Sequence, residues 1–173
     1  MLRLTAAAVA ASLLLPAVSI AQGMDLPEPI RVPADHKVAM TATGAGDLTY
    51  ECRAKAADPS AFEWAFVGPS AKLMDPKTQK EVGKYYGGPT WESMDGSKVT
   101  GKQVATAPAP AGNIPLQLVK AEPAMGSGAM MGVTYIQRIN TKGGVAPTDA
   151  CNAGMAGTKK TVPYQADYVF YKM

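Results

Sequence analysis

The chain is poor in the side chains that most enzyme chemistry requires. It holds one histidine and two cysteines. A nucleophile–base catalyst needs a Ser or Cys beside a His, and His36, flanked by Lys37, has no triad partners in view. No Gly-x-Ser-x-Gly elbow occurs. One His and a Cys pair also fall short of the three or four ligands of a zinc site. Gly44-Ala45-Gly46 lacks the third Gly and the helix of a dinucleotide fingerprint, and Gly126-Ser127-Gly128 reaches its next Gly one residue late. No cofactor and no metal are therefore expected. Met125, Met130 and Met131 cluster, but thioethers more often fill apolar gaps than bind copper.

Charge of one sign is scarce as well. Lys and Arg number 17 against 14 acids. Without the leader's Arg3 the difference falls from three to two. A nucleic-acid surface needs a clustered basic face, so no nucleic-acid partner is expected. No apolar run after the first twenty residues is long enough to span a membrane.

What is present begins with an export signal. Arg3 precedes an apolar stretch from Leu4 to Ile20, and Ser19-Ile20-Ala21 has small residues at both cleavage positions. The pattern predicts a Sec signal peptide over 1–21, cleaved after Ala21. A periplasmic or secreted protein follows, with no membrane span after cleavage. Pro27, Pro29 and Pro33 then mark 22–35 as an extended arm, whose Ile30 and Val32 can dock on a sheet. About 150 residues remain, enough for one domain, placed at 36–173. Two cysteines in an oxidising compartment read as one disulfide, Cys52 to Cys151.

The domain has no convincing amphipathic helix. Short stretches alternate with period two, as in Leu48, Tyr50 and Cys52 against Thr49, Glu51 and Arg53. Gly44–Asp47 reads as a turn between two strands, and Gly68-Pro69 closes the strand carrying Phe62, Trp64 and Phe66. The span from Tyr85 to Gly101 reads as a central hairpin. In it Trp91 lies on a strand and Asp95-Gly96 forms a two-residue primed turn. Later strands cover Pro115–Ala121, Val133–Asn140 and Tyr164–Lys172. This predicts an all-β domain: a β-sandwich or open barrel of short, mainly antiparallel strands with long loops.

Four ordered motifs add a resemblance. They are Trp64-Ala-Phe66 with Gly68-Pro69-x-Ala71-x-Leu73-x-Asp75; Gly88-Pro89-Thr-Trp91 with Asp95-Gly96-Ser97-x-Val99-x-Gly101; Tyr135-Ile-Gln137-Arg138-x-Asn140-Thr141-x-Gly143-Gly144-x-Ala146-Pro147; and Val162-Pro163-Tyr164-x-Ala166-Asp167-Tyr168-x-Phe170-Tyr171. Together they resemble the DUF3455 family of exported bacterial and fungal proteins. The resemblance implies compartment and domain extent, not a chemistry. One departure is Tyr85, at a position where the family often carries a His.

The candidate binding residues are Trp91, Tyr85, Arg138 and Asn140. An Arg on a partly apolar face calls for a carboxylate partner, with Asp95 or Asp167 as candidates, or for an anionic ligand. Trp91 is either a core anchor or a stacking platform. The expected function is non-catalytic: binding a small polar or carbohydrate ligand, or an association with the envelope. The alternatives are a polysaccharide hydrolase using acids such as Glu92 and Asp95, and a structural surface protein without a ligand.

Overall fold

A computed structural model describes residues 26–173. The expected signal peptide, its cleavage site and the start of the arm lie outside the described residues.

Eight strands follow in order: β1 (Lys37–Ala54), β2 (Phe62–Met74), β3 (Glu81–Tyr86), β4 (Thr90–Ser93), β5 (Lys98–Ala107), β6 (Leu116–Ala121), β7 (Val133–Gly143) and β8 (Lys159–Lys172). Each pairs antiparallel with the next, and β8 returns to pair with β1. The all-β antiparallel expectation holds, but the sheet neither splits into a sandwich nor stays open. It closes into an up-and-down barrel. Closure leaves no strand edge unpaired, which removes the usual route to edge-to-edge association.

Two expected turns are strand interiors. Gly44–Asp47 lies within the continuous β1, and Gly68-Pro69 within β2. The physical reason is a close approach. A Cβ on Gly44 would sit 2.5 Å from the Tyr168 ring, and one on Gly46 would collide with the Ser70 carbonyl. Glycine is needed there to let a ring and a neighbouring strand come near, not to reverse the chain. Beside Gly68 the β1–β2 register shifts between Thr49 and Tyr50, a local irregularity of the kind that bends strands around a barrel.

The central hairpin also differs in detail. Ser93 N–H donates to the Ser97 carbonyl, Gly96 N–H donates to the Ser93 carbonyl, and Gly96 has φ 85°. The connection is thus three residues long, with Gly in the left-handed position, rather than a two-residue primed turn.

Alternation sorts the side chains onto two faces. Leu48, Leu73, Trp91, Val99, Ile136 and Phe170 are among those that fill the interior. Ile30, Ala107, Leu118, Ile139 and Val169 form a second apolar cluster on the outside. That cluster is where the arm docks. A 3-10 turn, Glu28–Ile30, interrupts the extended arm and buries Ile30 completely. Gln137 secures it: its Nε2 donates to the Ile30 carbonyl at 2.6 Å and its Oε1 accepts from the Tyr171 hydroxyl at 2.6 Å. A buried amide with both ends matched adds specificity without an unpaired polar group.

The end of the barrel where β2–β3, β4–β5 and β6–β7 are joined is plugged by the Met-rich loop. Met130 is buried in the core cluster, and its N–H donates to Ser97 Oγ. Asp95 holds the arrangement. It accepts from the Ser97 hydroxyl, the Ser97 N–H and the Ala129 N–H. The Ser97 hydroxyl, followed by the Ala129 N–H, pulls the Asp95 carboxyl from its ordinary 3.8 down to about 2. A depressed carboxyl stabilises the fold fully above its unfolded value and loses that contribution as pH falls through the folded one. The expected result is a melting-temperature gap between the parent and Asp95→Asn that is constant above about pH 4 and shrinks towards pH 2. A gap flat through this window would show that the carboxylate's charge is not what holds the loop.

Candidate functional site

The opposite end, where β1–β2, β3–β4, β5–β6 and β7–β8 are joined, is the barrel mouth. The disulfide lies there. Cys52 near the end of β1 is bonded to Cys151 in the β7–β8 connection, with Cα atoms 5.6 Å apart and a sequence separation of 99. The same connection is held by Trp64, whose indole N–H donates to the Asp149 carbonyl at 2.9 Å. Lys160 lies over the Trp64 ring and pairs with Asp149.

Tyr85 and Trp91 face inward from β3 and β4, cross-strand partners in the sheet. Their rings stack at 4.7 Å with 17° between planes, and Tyr168 meets Trp91 edge-on at 5.8 Å. Trp91 is 1% exposed and Tyr85 6%, so both build the wall of the interior and neither offers an open ring face. The Trp91 indole N–H has no hydrogen-bond partner among the described residues.

Beside them lies a group of phenols. The Tyr164 and Tyr168 hydroxyls are 3.2 Å apart, and the Tyr50 hydroxyl donates to the Gly144 carbonyl at 2.6 Å. Burial raises the pKa values of Tyr50, Tyr85, Tyr164 and Tyr168 above the ordinary 10.0, while the nearby Arg138 charge opposes the shift at all four. The phenols therefore stay neutral at physiological pH.

Arg138 is the cation these phenols share. Its β7 neighbour Ile136 is in the interior cluster and its β8 partner is the inward Tyr168, so it points into the barrel. Neither Asp95 nor Asp167 pairs with it. Asp95 is held in the loop at the plugged end, and Asp167 accepts from Thr43 and Asn140 on the outer face. Instead, Arg138 Nε and Nη2 both donate to the Pro115 carbonyl, at 3.3 and 2.9 Å. Gln117 is its cross-strand partner on β6 and donates to Gln103 Oε1 at 2.6 Å. Gln103 and Thr106 are solvent-exposed although they share the inward face, so the β5–β7 side of the mouth is open and polar.

Asn140 does not join this group. The β7–β8 register shifts between Ile139 and Lys142, and Asn140 adopts φ 51°. That irregularity breaks the alternation and turns Asn140 outward, where its amide donates to Asp167 at 2.8 Å. Sequence reasoning missed Gln103, Thr106 and Gln117. They were readable only once the barrel's closure showed which face is inner.

Of the hollows on the surface, the one of about 610 Å³ on β1–β3 runs beside Ser70, Lys72, Lys84 and Tyr86. Its lysines are matched, Lys72 to Glu81 at 2.8 Å and Lys84 to Glu92 at 3.3 Å. Both lysines of this groove thus have carboxylate partners, whereas no carboxylate among the described residues pairs with Arg138. No group of three or more His, Cys, Asp or Glu that could hold a metal ion occurs among the described residues.

Fold and site together define a small, disulfide-bonded, eight-stranded antiparallel barrel with a tyrosine-lined interior and one arginine directed into it. Residues 33–172 match the family described as "Protein of unknown function (DUF3455)", and the chain belongs to that family. Comparison with curated proteins and with solved structures gave no match.

Proposed function

We propose that this is an exported, non-catalytic binding protein that takes a small polar or carbohydrate ligand at the barrel mouth, with Arg138 as its charged contact. The observation that carries the reading is the guanidinium itself. It points into a barrel, its charge is shared by four neutral phenols, and its hydrogen bonds among the described residues go to a neutral carbonyl. Arg138 is half-buried at the open side of the mouth, and no carboxylate among the described residues pairs with it, which leaves its charge free to meet an anionic group of a ligand. The disulfide supports an oxidising compartment, periplasmic or extracellular. The outward side chains, including Lys72, Lys84, Glu92 and Asp167, support a water-facing exterior, since a membrane-spanning barrel turns an apolar band outward.

The hydrolase alternative has less support. Glu92 lies on the outer face, accepting from Tyr86 at 2.7 Å and lying 3.3 Å from both Lys84 and Lys98. Asp95 is occupied in the plugging loop at the other end.

A thermal-shift screen against sugars and organic acids tests the reading. A ligand at 100 times its dissociation constant stabilises by about 2.7 kcal/mol. Arg138→Gln should melt cooperatively and lose the shift. A hit that stabilises Arg138→Gln as much as the parent would place the site elsewhere.

A further inference from the structure

Resting on that reading, we infer that the ligand of the mouth is a monocarboxylate, a small organic acid or a sugar acid, held end-on by the Arg138 guanidinium. Charge balance argues first. Between the level of Lys160, which is matched by Asp149, and the strand ends at the plug, the alternation turns one charged side chain towards the barrel axis among the described residues: Arg138. The strand carboxylates Glu51, Glu81 and Glu92 are turned outward and matched by Lys159, Lys72 and the Lys84–Lys98 pair. The four phenols face the guanidinium from β1, β3 and β8, and neutral phenols cannot serve as its counterion. The mouth thus holds one positive charge that no carboxylate among the described residues matches, and a single negative charge neutralises it.

Geometry argues second. The Nε–Nη2 edge of the guanidinium is fixed on the Pro115 carbonyl. The Nη1–Nη2 end stays available for two parallel N–H···O bonds, and a planar carboxylate matches that spacing. The anchored edge holds the fork in one orientation before the ligand arrives, which reduces the ordering it must undergo on binding. The surroundings argue third. Thr106 and the Gln103–Gln117 amide pair lie on the open side of the mouth and supply neutral donors and acceptors. Such groups suit the hydroxyls of a hydroxy or sugar acid. Phe66, 51% exposed and 5.7 Å from the Tyr50 ring, borders the β1–β2 side with an apolar surface.

The test follows the Arg138 Nε–H resonance by ¹H–¹⁵N NMR while glucuronate, lactate, glucose and inorganic phosphate are each raised to about 10 mM, a range that detects millimolar affinity. Glucuronate and glucose differ chiefly in the carboxylate, so their comparison isolates the charge. The expected result is a saturable shift with glucuronate or lactate, with glucose at least about tenfold weaker, as loss of a charge-assisted pair implies. Arg138→Gln should abolish the effect, read by calorimetry on a variant that still melts cooperatively. If that variant fails to fold, the resonance of the parent protein decides alone. Glucose binding as well as glucuronate would overturn the carboxylate inference and leave the binding site standing. Phosphate binding more tightly than either acid would keep an anion site and overturn the class. No shift from any of the four would overturn both the inference and the reading beneath it.

Discussion

Cys52→Ser, alone or with Cys151→Ser, is expected to lower the stability of the fold by about 4 kcal/mol in the chain-entropy description. The magnitude follows from the separation of 99 positions. Opening so long a loop returns much freedom to the unfolded chain, and the loss grows only with the logarithm of loop length. Denaturant unfolding of the oxidised parent against the double variant reads it directly as a fall in midpoint. The effect is also expected to be uneven. The β7–β8 connection would keep its bonds from Trp64 and Lys160, so protection from hydrogen exchange should fall there before it falls in the β1–β8 ladder. An unchanged midpoint would mean that the bridge contributes nothing beyond the closed sheet.

Trp91→Ala has the second large effect, expected at about 3 to 5 kcal/mol. Trp91 is nearly fully buried and supports the rings of Tyr85 and Tyr168 on two sides. Removing it leaves a cavity in the middle of the barrel, where strand geometry limits collapse. Trp91→Phe separates volume from polarity. It keeps a ring and deletes an indole N–H that has no partner among the described residues, so its penalty should be well below that of the alanine variant. Equal penalties for the two would show that the N–H, through a bound water, matters more than the packing. Of the two readings of Trp91 that its sequence left open, its burial favours the core anchor: at 1% exposed it builds the wall of the interior and presents no open ring face.

Much of the fold was legible because strand alternation is a local signal. Ile30 and Val32 were readable as docking residues, and the Cys52–Cys151 bridge followed from compartment and count. Misreadings arose where a distant part of the chain decides the local structure. Gly44-Ala45-Gly46-Asp47 has turn composition, yet Gly44 makes room for the Tyr168 ring, more than 120 residues further on, and Gly46 for the Ser70 backbone of β2. Asp95-Gly96 was correctly placed at a reversal, but the extra residue in the connection depends on Ser97 pairing back to Ser93.

The candidate site shows the same division. The inward direction of Arg138 could be read from Thr134, Ile136 and Arg138 sharing a face. Its partner could not, because Pro115 is brought to it by the β6–β7 pairing. Asn140 was grouped with Arg138 by continuing the alternation two residues too far. The Asn-Thr-Lys-Gly-Gly run after Ile139 was the available warning, since Asn and Gly favour the left-handed conformation that a break in a strand needs.

Every statement about an interior, and about a charge directed into it, depends on β8 closing against β1. Backbone NOE spectroscopy tests this most directly through the Cα pairing of Ala42 with Tyr168 across that seam and of Arg138 with Tyr168 on the other side of β8. The closed barrel predicts cross-strand contacts at both, with slow amide exchange along the whole of β8. Contacts to β7 alone, with β1 and β8 exchanging as free edges, would contradict the account: the sheet would be open, and Arg138 would face solvent instead of an enclosed wall of tyrosines.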